Sequence, residues 1–134
     1  MDIESVRKFF ERDRFVASAG ISVESVTERE AVVFAPVEDR HLNAGDTVQG
    51  GFIFTMADFA FAVLANAKGR FTVSQNATVH FLKARRPAWL KARAYALNEG
   101  RNTALYAVDV FDDAGVKIAY VTVTGYLLGE NGLK

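Results

Sequence analysis

A single charged residue interrupts the most hydrophobic segment of this chain. The segment GFIFTMADFAFAVLANA, residues 51–67, carries one charge, Asp58, and is apolar around nearly the whole helical wheel. A helix that is hydrophobic on all sides is normally buried. A buried carboxylate is costly unless it is paired, protonated or used in a reaction. Asp58 is therefore a candidate functional residue. The alternative is a structural acid bonded to a neighbouring backbone, serine or threonine group.

Two glycines, Gly50 and Gly51, open this helix and leave its first backbone N–H groups unobstructed. Such groups have no partner within the helix, and the helix dipole favours negative charge beside them. Free donors together with an acid suit chemistry on a carbonyl group. The donors would polarise the carbonyl, and the acid would act as a general base or as a nucleophile. Alternatively, the glycines only allow a tight entry from the loop into the helix.

The composition fits one domain spanning residues 1–134. Sixteen basic and sixteen acidic side chains cancel, so there is no electrostatic reason to expect a nucleic acid or an anionic membrane as partner. The absence of cysteine excludes disulfides and thiol catalysis, and two distant histidines make a metal site unexpected. The N-terminus lacks a signal-peptide pattern, and the apolar helix is slightly short for a membrane span. We therefore expect a cytoplasmic protein.

Hydrophobic periodicity predicts an α+β chain. Apolar residues at spacings of three and four predict an amphipathic helix over residues 2–17. Residues 21–37 read as two strands or one bent strand, and residues 38–50 as a loop. Four strands are predicted after the long helix, and the short turns between the last three indicate an antiparallel sheet: residues 71–81, 88–97, 103–111 and 116–128. We expect one sheet to wrap the apolar helix, because nothing else in the chain can cover it.

The segment HLNAGDTVQGGFIFTMADFAFAVLAN, residues 41–66, resembles the signature of the hotdog-fold acyl-CoA thioesterases, nearest to the phenylacetate-pathway branch. The common form there is His-Leu-Asn, then His-Gly-Gly, and further on Leu-Ala-Asp and Ala-Phe-Ala. The resemblance covers essentially the whole chain. It implies a hotdog fold and hydrolysis of an aryl- or short- to medium-chain acyl-CoA to the free acid and coenzyme A. Coenzyme A is then part of the substrate, and no further cofactor is expected.

The resemblance assigns roles to individual residues. Asp58 matches the catalytic carboxylate, and Gly50 matches the glycine whose N–H polarises the thioester carbonyl. Asn43 matches a loop asparagine near the attacking water, although it could merely hold the loop through an Asx turn. Ser74 falls where a relative has a water-placing hydroxyl, but a plain hydrogen-bonded strand residue is an equal alternative. Gln49 replaces the usual histidine; it can donate a hydrogen bond but cannot carry a proton.

Substrate-binding residues are expected on both sides of this motif. Lys83, Arg85 and Arg86 cluster at a predicted strand end, where the fold would bring them near the phosphates of coenzyme A. Their alternative role is a solvated edge that blocks aggregation. Gly51 at the helix start and Phe54 one turn later are candidates for contact with the acyl group, although Phe54 could belong to the core.

The spacing of Gly50 and Asp58 carries an independent inference. Eight residues on one helix span ~12 Å at about 1.5 Å per residue, so the two cannot reach one carbonyl. If they act together, Asp58 must meet Gly50 of a second subunit, as two antiparallel helices across a two-fold axis would allow. Hotdog thioesterases are similarly described as shared-site dimers. We expect a homodimer with two shared sites, and a pairing of dimers into tetramers.

Two other functions fit the same resemblance. A hotdog dehydratase or hydratase would use an acid together with a histidine, and neither His41 nor His80 stands at the expected helix position. A non-catalytic acyl-CoA-binding protein is the second alternative, but hotdog sensors of that kind carry a DNA-binding domain, which the 20 N-terminal residues are too few to hold. A purely structural protein would leave Asp58 unexplained. A structural capping role is the expected one for His41.

Overall fold

The computed structural model describes residues 2–129, so residue 1 and residues 130–134 of the predicted domain lie outside the described part. The chain forms two short helices, two strands, one long helix and four further strands. The helices are α1 (Ile3–Phe10), α2 (Arg14–Ser18) and α3 (Gly50–Ala67). The strands are β1 (Ser22–Val26), β2 (Glu30–Pro36), β3 (Phe71–Phe81), β4 (Trp89–Glu99), β5 (Thr103–Asp112) and β6 (Lys117–Gly129).

One six-stranded sheet wraps around α3. Its strand order is β1-β2-β4-β5-β6-β3, and every neighbouring pair is antiparallel. Ten of the 18 residues of α3 are buried. By length and composition α3 could also cross a membrane, but here the sheet covers its apolar surface. This is the α+β arrangement expected from the sequence, and β3 lies at one edge of the sheet.

The ends of α3 follow from local chemistry. Gln49 is the N-cap, and its side-chain oxygen accepts a hydrogen bond from the Phe52 N–H at 3.2 Å. That cap starts the helix at Gly50, one residue before the predicted position. At the other end Gly69 has φ +83°, the left-handed conformation that commonly terminates a helix and that glycine adopts without strain.

The predicted N-terminal helix over residues 2–17 is wrong in one respect, because it is broken into α1 and α2. Asp13 causes the break, since its carboxylate accepts a hydrogen bond from the Val16 N–H at 3.1 Å and caps a new helix. The Asp13 N–H donates to the Phe10 carbonyl at 3.0 Å. Residues 11–13 therefore form an elbow, and the Phe10 ring packs edge-on against Phe59 of α3, with centroids 5.4 Å apart.

The alternation in β3 is not continuous either. Its register with β6 shifts between Ser74 and Asn76, which leaves an extra residue, Gln75, as a β-bulge. Thr72 is buried on the helix side before the bulge, whereas Ala77 packs against the core after it. The polar residues predicted to share one face of this strand are therefore divided between its two faces, because the bulge reverses the side to which successive side chains point.

His41 has the structural role expected of it. It ends a short 3₁₀ helix (Asp39–His41), and its Nδ1 accepts a hydrogen bond from the Glu38 N–H at 2.9 Å. The other ring nitrogen therefore carries the proton and donates to the Ala19 carbonyl at 2.8 Å. The ring stacks on Phe52 with centroids 4.0 Å apart. His41 fastens the loop to α3 and is buried away from solvent.

A buried acid holds the turn between β5 and β6. Asp112 is fully buried, and its Oδ1 accepts hydrogen bonds from the N–H groups of Ala114 (3.0 Å) and Val116 (2.9 Å). Its Oδ2 accepts a hydrogen bond from Arg85 Nε at 3.0 Å. Burial alone would raise the pKa of Asp112, but the backbone donors and the Arg85 charge outweigh it and hold the pKa below its usual value.

We predict that Asp112→Ala lowers the free energy of unfolding by about 2–4 kcal/mol, because three donors lose their acceptor. Because the folded-state pKa is depressed, this contribution is present above the unfolded pKa and is lost as the pH falls through the folded one. Urea denaturation at neutral and acidic pH measures it. Asp39→Ala, at a side chain that is 97% exposed, is the control. Equal stabilities of the two variants at neutral pH would contradict the assignment.

Candidate active site

Asp58 lies half-buried on α3 and faces a cavity of about 470 Å³. The cavity lies between α3, β3 and the elbow of residues 11–13. Ser74 lines it opposite the acid. The remaining wall is largely aromatic, with four phenylalanines from α1, α3 and β3: Phe9, Phe10, Phe61 and Phe71. The helix thus carries its one charge to an apolar cleft that Ser74 also lines.

The electrostatics of the cavity favour the protonated form of Asp58. Burial raises its pKa above the usual value, and the negative charge of Asp13 raises it further. The Ser74 hydroxyl, a hydrogen-bond donor on the wall of the same cavity, acts in the opposite direction. A carboxylate whose pKa is shifted upward is a better base near neutral pH than an exposed one, and such shifts are typical of functional sites.

Ser74 reaches Asp58 because the start of β3 is tied to the end of α3. The Asn66 side chain accepts a hydrogen bond from the Thr72 N–H at 2.9 Å and donates to the Thr72 carbonyl at 3.2 Å. The bulge that follows Ser74 then turns the rest of the strand. Gly125 pairs with Ser74 on β6, and a Cβ there would come within 2.8 Å of Thr72. Only glycine lets the strands close behind Ser74.

The start of α3 presents backbone donors. Gln49 caps the Phe52 N–H, and within residues 2–129 the N–H groups of Gly50 and Gly51 have no hydrogen-bond partner. A Cβ at Gly51 would lie 2.6 Å from Gln49 Oε1, and one at Gly50 would lie 3.1 Å from the Phe81 ring. The glycines therefore serve the tight entry that the sequence suggested as an alternative, and they also leave two N–H groups available to a ligand.

Asn43 forms the Asx turn that was its alternative reading. Its Oδ1 accepts hydrogen bonds from the N–H groups of Gly45 (2.9 Å) and Thr47 (3.1 Å), and its Nδ2 donates to Thr47 Oγ1 at 3.0 Å. The side chain is thus engaged in the loop on both of its polar atoms. A role of Asn43 beside the attacking water stays a prediction.

The chain does not bring all predicted site residues together. Asp58 and Ser74 share a cavity, whereas Asn43, Gln49 and Gly50 do not line it. Gly50 and Asp58 lie on the same helix, two turns apart, so ~12 Å of axis separates them, at about 1.5 Å per residue. The acid and the backbone donors therefore lie at two separate places on α3, here called the acid half and the donor half of the candidate site.

The basic residues lie at the donor half. The Val48 N–H donates to the Arg85 carbonyl at 2.9 Å, which places residues 83–86 beside the start of α3. Arg85 is partly engaged by Asp112, and Arg86 lies 3.5 Å from Asp39. Lys83 is exposed. Phe54 is half-buried one turn after Gly50 and one turn before Asp58, so it lies between the two half-sites.

Sequence reasoning missed the contribution of the N-terminus. Phe9, Phe10 and Asp13 line the cavity of Asp58, yet the sequence suggested only an amphipathic helix there. Asp13 carries a signal that could have revealed the elbow, because an aspartate three residues before a valine of the apolar face can cap a new helix. Nothing in the sequence indicated that this cap would face Asp58.

Known proteins that are similar to this chain include esterases and a thioesterase. A family model described as the thioesterase superfamily matches residues 45–119. A putative esterase of Archaeoglobus fulgidus is 30% identical over 131 residues, which cover 96% of this chain and 85% of that protein. The acyl-coenzyme A thioesterase PaaI of Escherichia coli is 28% identical over 130 residues, which cover 94% of this chain and 91% of that protein.

The fold agrees with these matches. The solved structure of the Escherichia coli PaaI protein, from the phenylacetic acid degradation operon, superimposes with a TM-score of 0.86 at 28% identity, covering 91% of this chain and 89% of that one. The expected hotdog fold, the family resemblance and the enzyme class are thereby confirmed. The chain belongs to the thioesterase superfamily, as a hotdog-fold thioester hydrolase near the phenylacetate-pathway branch.

Proposed function

We propose that this protein hydrolyses an acyl-CoA thioester at a site that contains Asp58. The observation that carries the proposal is the half-buried Asp58 carboxylate, which lines the same cavity as Ser74 and four phenylalanines. The chain is similar to a relative named for acyl-coenzyme A thioesterase activity. A carboxylate, a hydroxyl and free backbone donors are the groups that thioester hydrolysis requires, since the reaction needs an activated water and a polarised carbonyl.

The proposed reaction proceeds by addition and elimination. Asp58 takes a proton from a water held by Ser74, and the water oxygen bonds to the thioester carbon. The developing oxyanion is stabilised by the Gly50 N–H of a second subunit, at the start of its α3, where the helix dipole is positive. The carbon–sulfur bond then breaks, and the thiolate of coenzyme A takes up the proton. Direct attack by Asp58 to form an anhydride uses the same groups.

The acyl group is proposed to occupy the cavity of Asp58. Its volume of about 470 Å³ accommodates an aryl or a short- to medium-chain acyl group. Phenylalanine rings stack edge-on or offset against other aromatic rings, which favours an aryl group over a polar one. Gly51 at the donor half and Phe54, one turn further along α3, are proposed to contact the acyl group near the thioester.

Coenzyme A is proposed to lie across the basic residues at the donor half. Lys83 and Arg86 are exposed, and the remaining guanidinium nitrogens of Arg85 are available beyond its bond to Asp112. These cations lie beside the start of α3. In the proposed complex, coenzyme A extends from the thioester towards them, and they contact its phosphate groups. Arg and Lys both bind phosphates through charge-assisted hydrogen bonds.

A two-fold dimer would join the two half-sites. β3 is an edge strand, so its outward backbone groups can pair with another strand. It also exposes apolar side chains at Val73 (36%) and Phe81 (57%). Within one chain, Ser74 faces Asp58 and Phe81 contacts Gly50. Antiparallel pairing of two β3 strands about a point near Ala77 places Ser74 of one subunit opposite Phe81 of the other. Asp58 then lies beside Gly50 of the second subunit. Pairing of such dimers into tetramers remains part of the proposal.

We predict that Asp58→Asn lowers kcat by at least ~10²-fold, because a general base or nucleophile is lost while the shape is kept. The measurement is thiol release from a panel of aryl-, short- and medium-chain acyl-CoA substrates. Wild-type activity in Asp58→Asn would refute the assignment. Tight acyl-CoA binding without turnover by the wild type would instead favour a non-catalytic binding protein, and hydration of an enoyl-CoA would favour a hydratase.

We also predict that Asp58→Asn raises the melting temperature at neutral pH. A carboxyl whose folded pKa is raised binds more protons when folded, so its cost is complete above the folded pKa and absent below the unfolded one. The gain in stability should therefore shrink as the pH falls towards about 4, near the ordinary aspartate pKa. Thermal denaturation between pH 4 and pH 8 measures it. A loss of stability at neutral pH would mean that Asp58 is a structural acid.

The shared site predicts complementation between two inactive variants, Asp58→Ala and Gly50→Pro. In a mixed dimer one site would carry both defects and the other neither. Refolding the two together should restore roughly a quarter of wild-type activity per total subunit, if pairing is random and the two sites are independent. Sites built within one subunit would stay inactive in every mixture.

The structure supplies a matched control for this experiment. Gly50 is the first residue of α3 and Gln49 has an extended backbone with ψ 134°, so the backbone there is compatible with proline, which removes the N–H. Gly50→Ala keeps that N–H while adding the same Cβ beside Phe81. We expect Gly50→Ala to retain far more activity than Gly50→Pro. Light scattering verifies that both variants form dimers, and absence of rescue in verified mixed dimers would refute the shared site.

A further inference from the structure

Asp13 is a second acid in the cavity of Asp58. Among residues 2–129 these two are the acids that line this cavity. Asp13 belongs to the elbow between α1 and α2, and it is half-buried although its neighbours Arg12 and Arg14 are exposed. A negative charge held beside a partly buried carboxyl disfavours the ionised form of that carboxyl, so Asp13 can act on Asp58 in addition to capping α2.

Several contacts fix the Asp13 carboxylate in place. Its Oδ1 accepts a hydrogen bond from the Val16 N–H at 3.1 Å, and its own N–H donates to the Phe10 carbonyl at 3.0 Å. The Phe10 ring is in turn held edge-on against Phe59, the residue after Asp58, at 5.4 Å. The elbow is therefore anchored to the same turn of α3 that carries Asp58, and Asp13 cannot move away without breaking the cap.

We propose that Asp13 acts through Asp58, as a positioning residue whose negative charge sets the pH range in which Asp58 is the working base. This inference rests on the proposed role of Asp58 in hydrolysis. The charged and hydroxyl groups that line the cavity with Asp58 are Arg12 and Asp13 of the elbow, Arg14 at the start of α2 and Ser74 of β3. Burial, Asp13 and Ser74 are the causes of the shift in the Asp58 pKa, and only Asp13 adds a charge to them.

The test is to remove the charge of Asp13 and keep its cap. Asp13→Asn retains an oxygen that can accept from the Val16 N–H, and asparagine and serine are both good N-cap residues. Asp13→Ser is the second variant, used in case the amide perturbs the elbow. The matched control is Asp2→Asn, because Asp2 caps α1 through the Ser5 N–H at 2.8 Å in the same way but does not line the cavity.

Two measurements are made on the assembled protein. The first is an NMR titration of the Asp58 carboxyl in protein with carbon-13-labelled aspartate, which needs no substrate. The second is the pH profile of kcat/KM with the best acyl-CoA of the panel. We expect Asp13→Asn and Asp13→Ser to move the Asp58 midpoint and the acidic limb of the profile to lower pH, by roughly half a unit or more. Asp2→Asn should move neither.

The outcomes separate this inference from the proposed function. A purely structural elbow would lower kcat at every pH and leave the midpoint and the acidic limb where they are in the wild type, which would overturn the inference. The inference is also overturned if the midpoint of the Asp58 titration moves but the acidic limb of the kcat/KM profile does not. If Asp58→Asn is inactive and the Asp13 variants have wild-type profiles, the inference alone fails. If Asp58→Asn is fully active, the proposed function fails, whatever the titration shows.

Discussion

The burial of one apolar helix governs the rest of this structure. Because α3 is hydrophobic on nearly every side, the sheet must curve around it, and six antiparallel strands leave only a limited part of the helix uncovered. The uncovered part carries Asp58 and the first turn carries Gly50. The candidate site therefore lies where the sheet stops covering α3, and a separate binding domain does not form it.

The N-terminal elbow and β3 complete what the helix begins. Phe10 anchors the elbow against Phe59, and Asn66 ties the start of β3 to the end of α3. Both contacts are made by residues next to Asp58 or within two turns of it. These contacts partly cover the Asp58 carboxylate, which water would otherwise surround. The resulting partial desolvation raises the pKa of Asp58.

The division of the site into an acid half and a donor half links chemistry to assembly. A rigid helix cannot bring its own first turn to its third, so a reaction that needs both turns requires a second copy of the chain. β3 lies at an edge of the sheet, where the proposed dimer would form, and the basic residues 83–86 follow the end of the same strand. In this proposal, β3 pairs the subunits and the residues that follow it bind coenzyme A.

The sequence by itself determined the buried helix, its single acid, the antiparallel strands that cover it and the motif that identifies the family, since these depend on local periodicity and residue type. It also indicated, from helix geometry alone, that Gly50 and Asp58 cannot meet within one chain. Only the tertiary structure decided that Asp13 breaks the first helix and faces Asp58, that a bulge after Ser74 divides the faces of β3, and that Asn43 is engaged in an Asx turn. The cap and the Asx turn are local contacts of single polar side chains, which hydrophobic periodicity does not register. The bulge and the cavity depend on contacts between residues distant in the chain, about which periodicity carries no information.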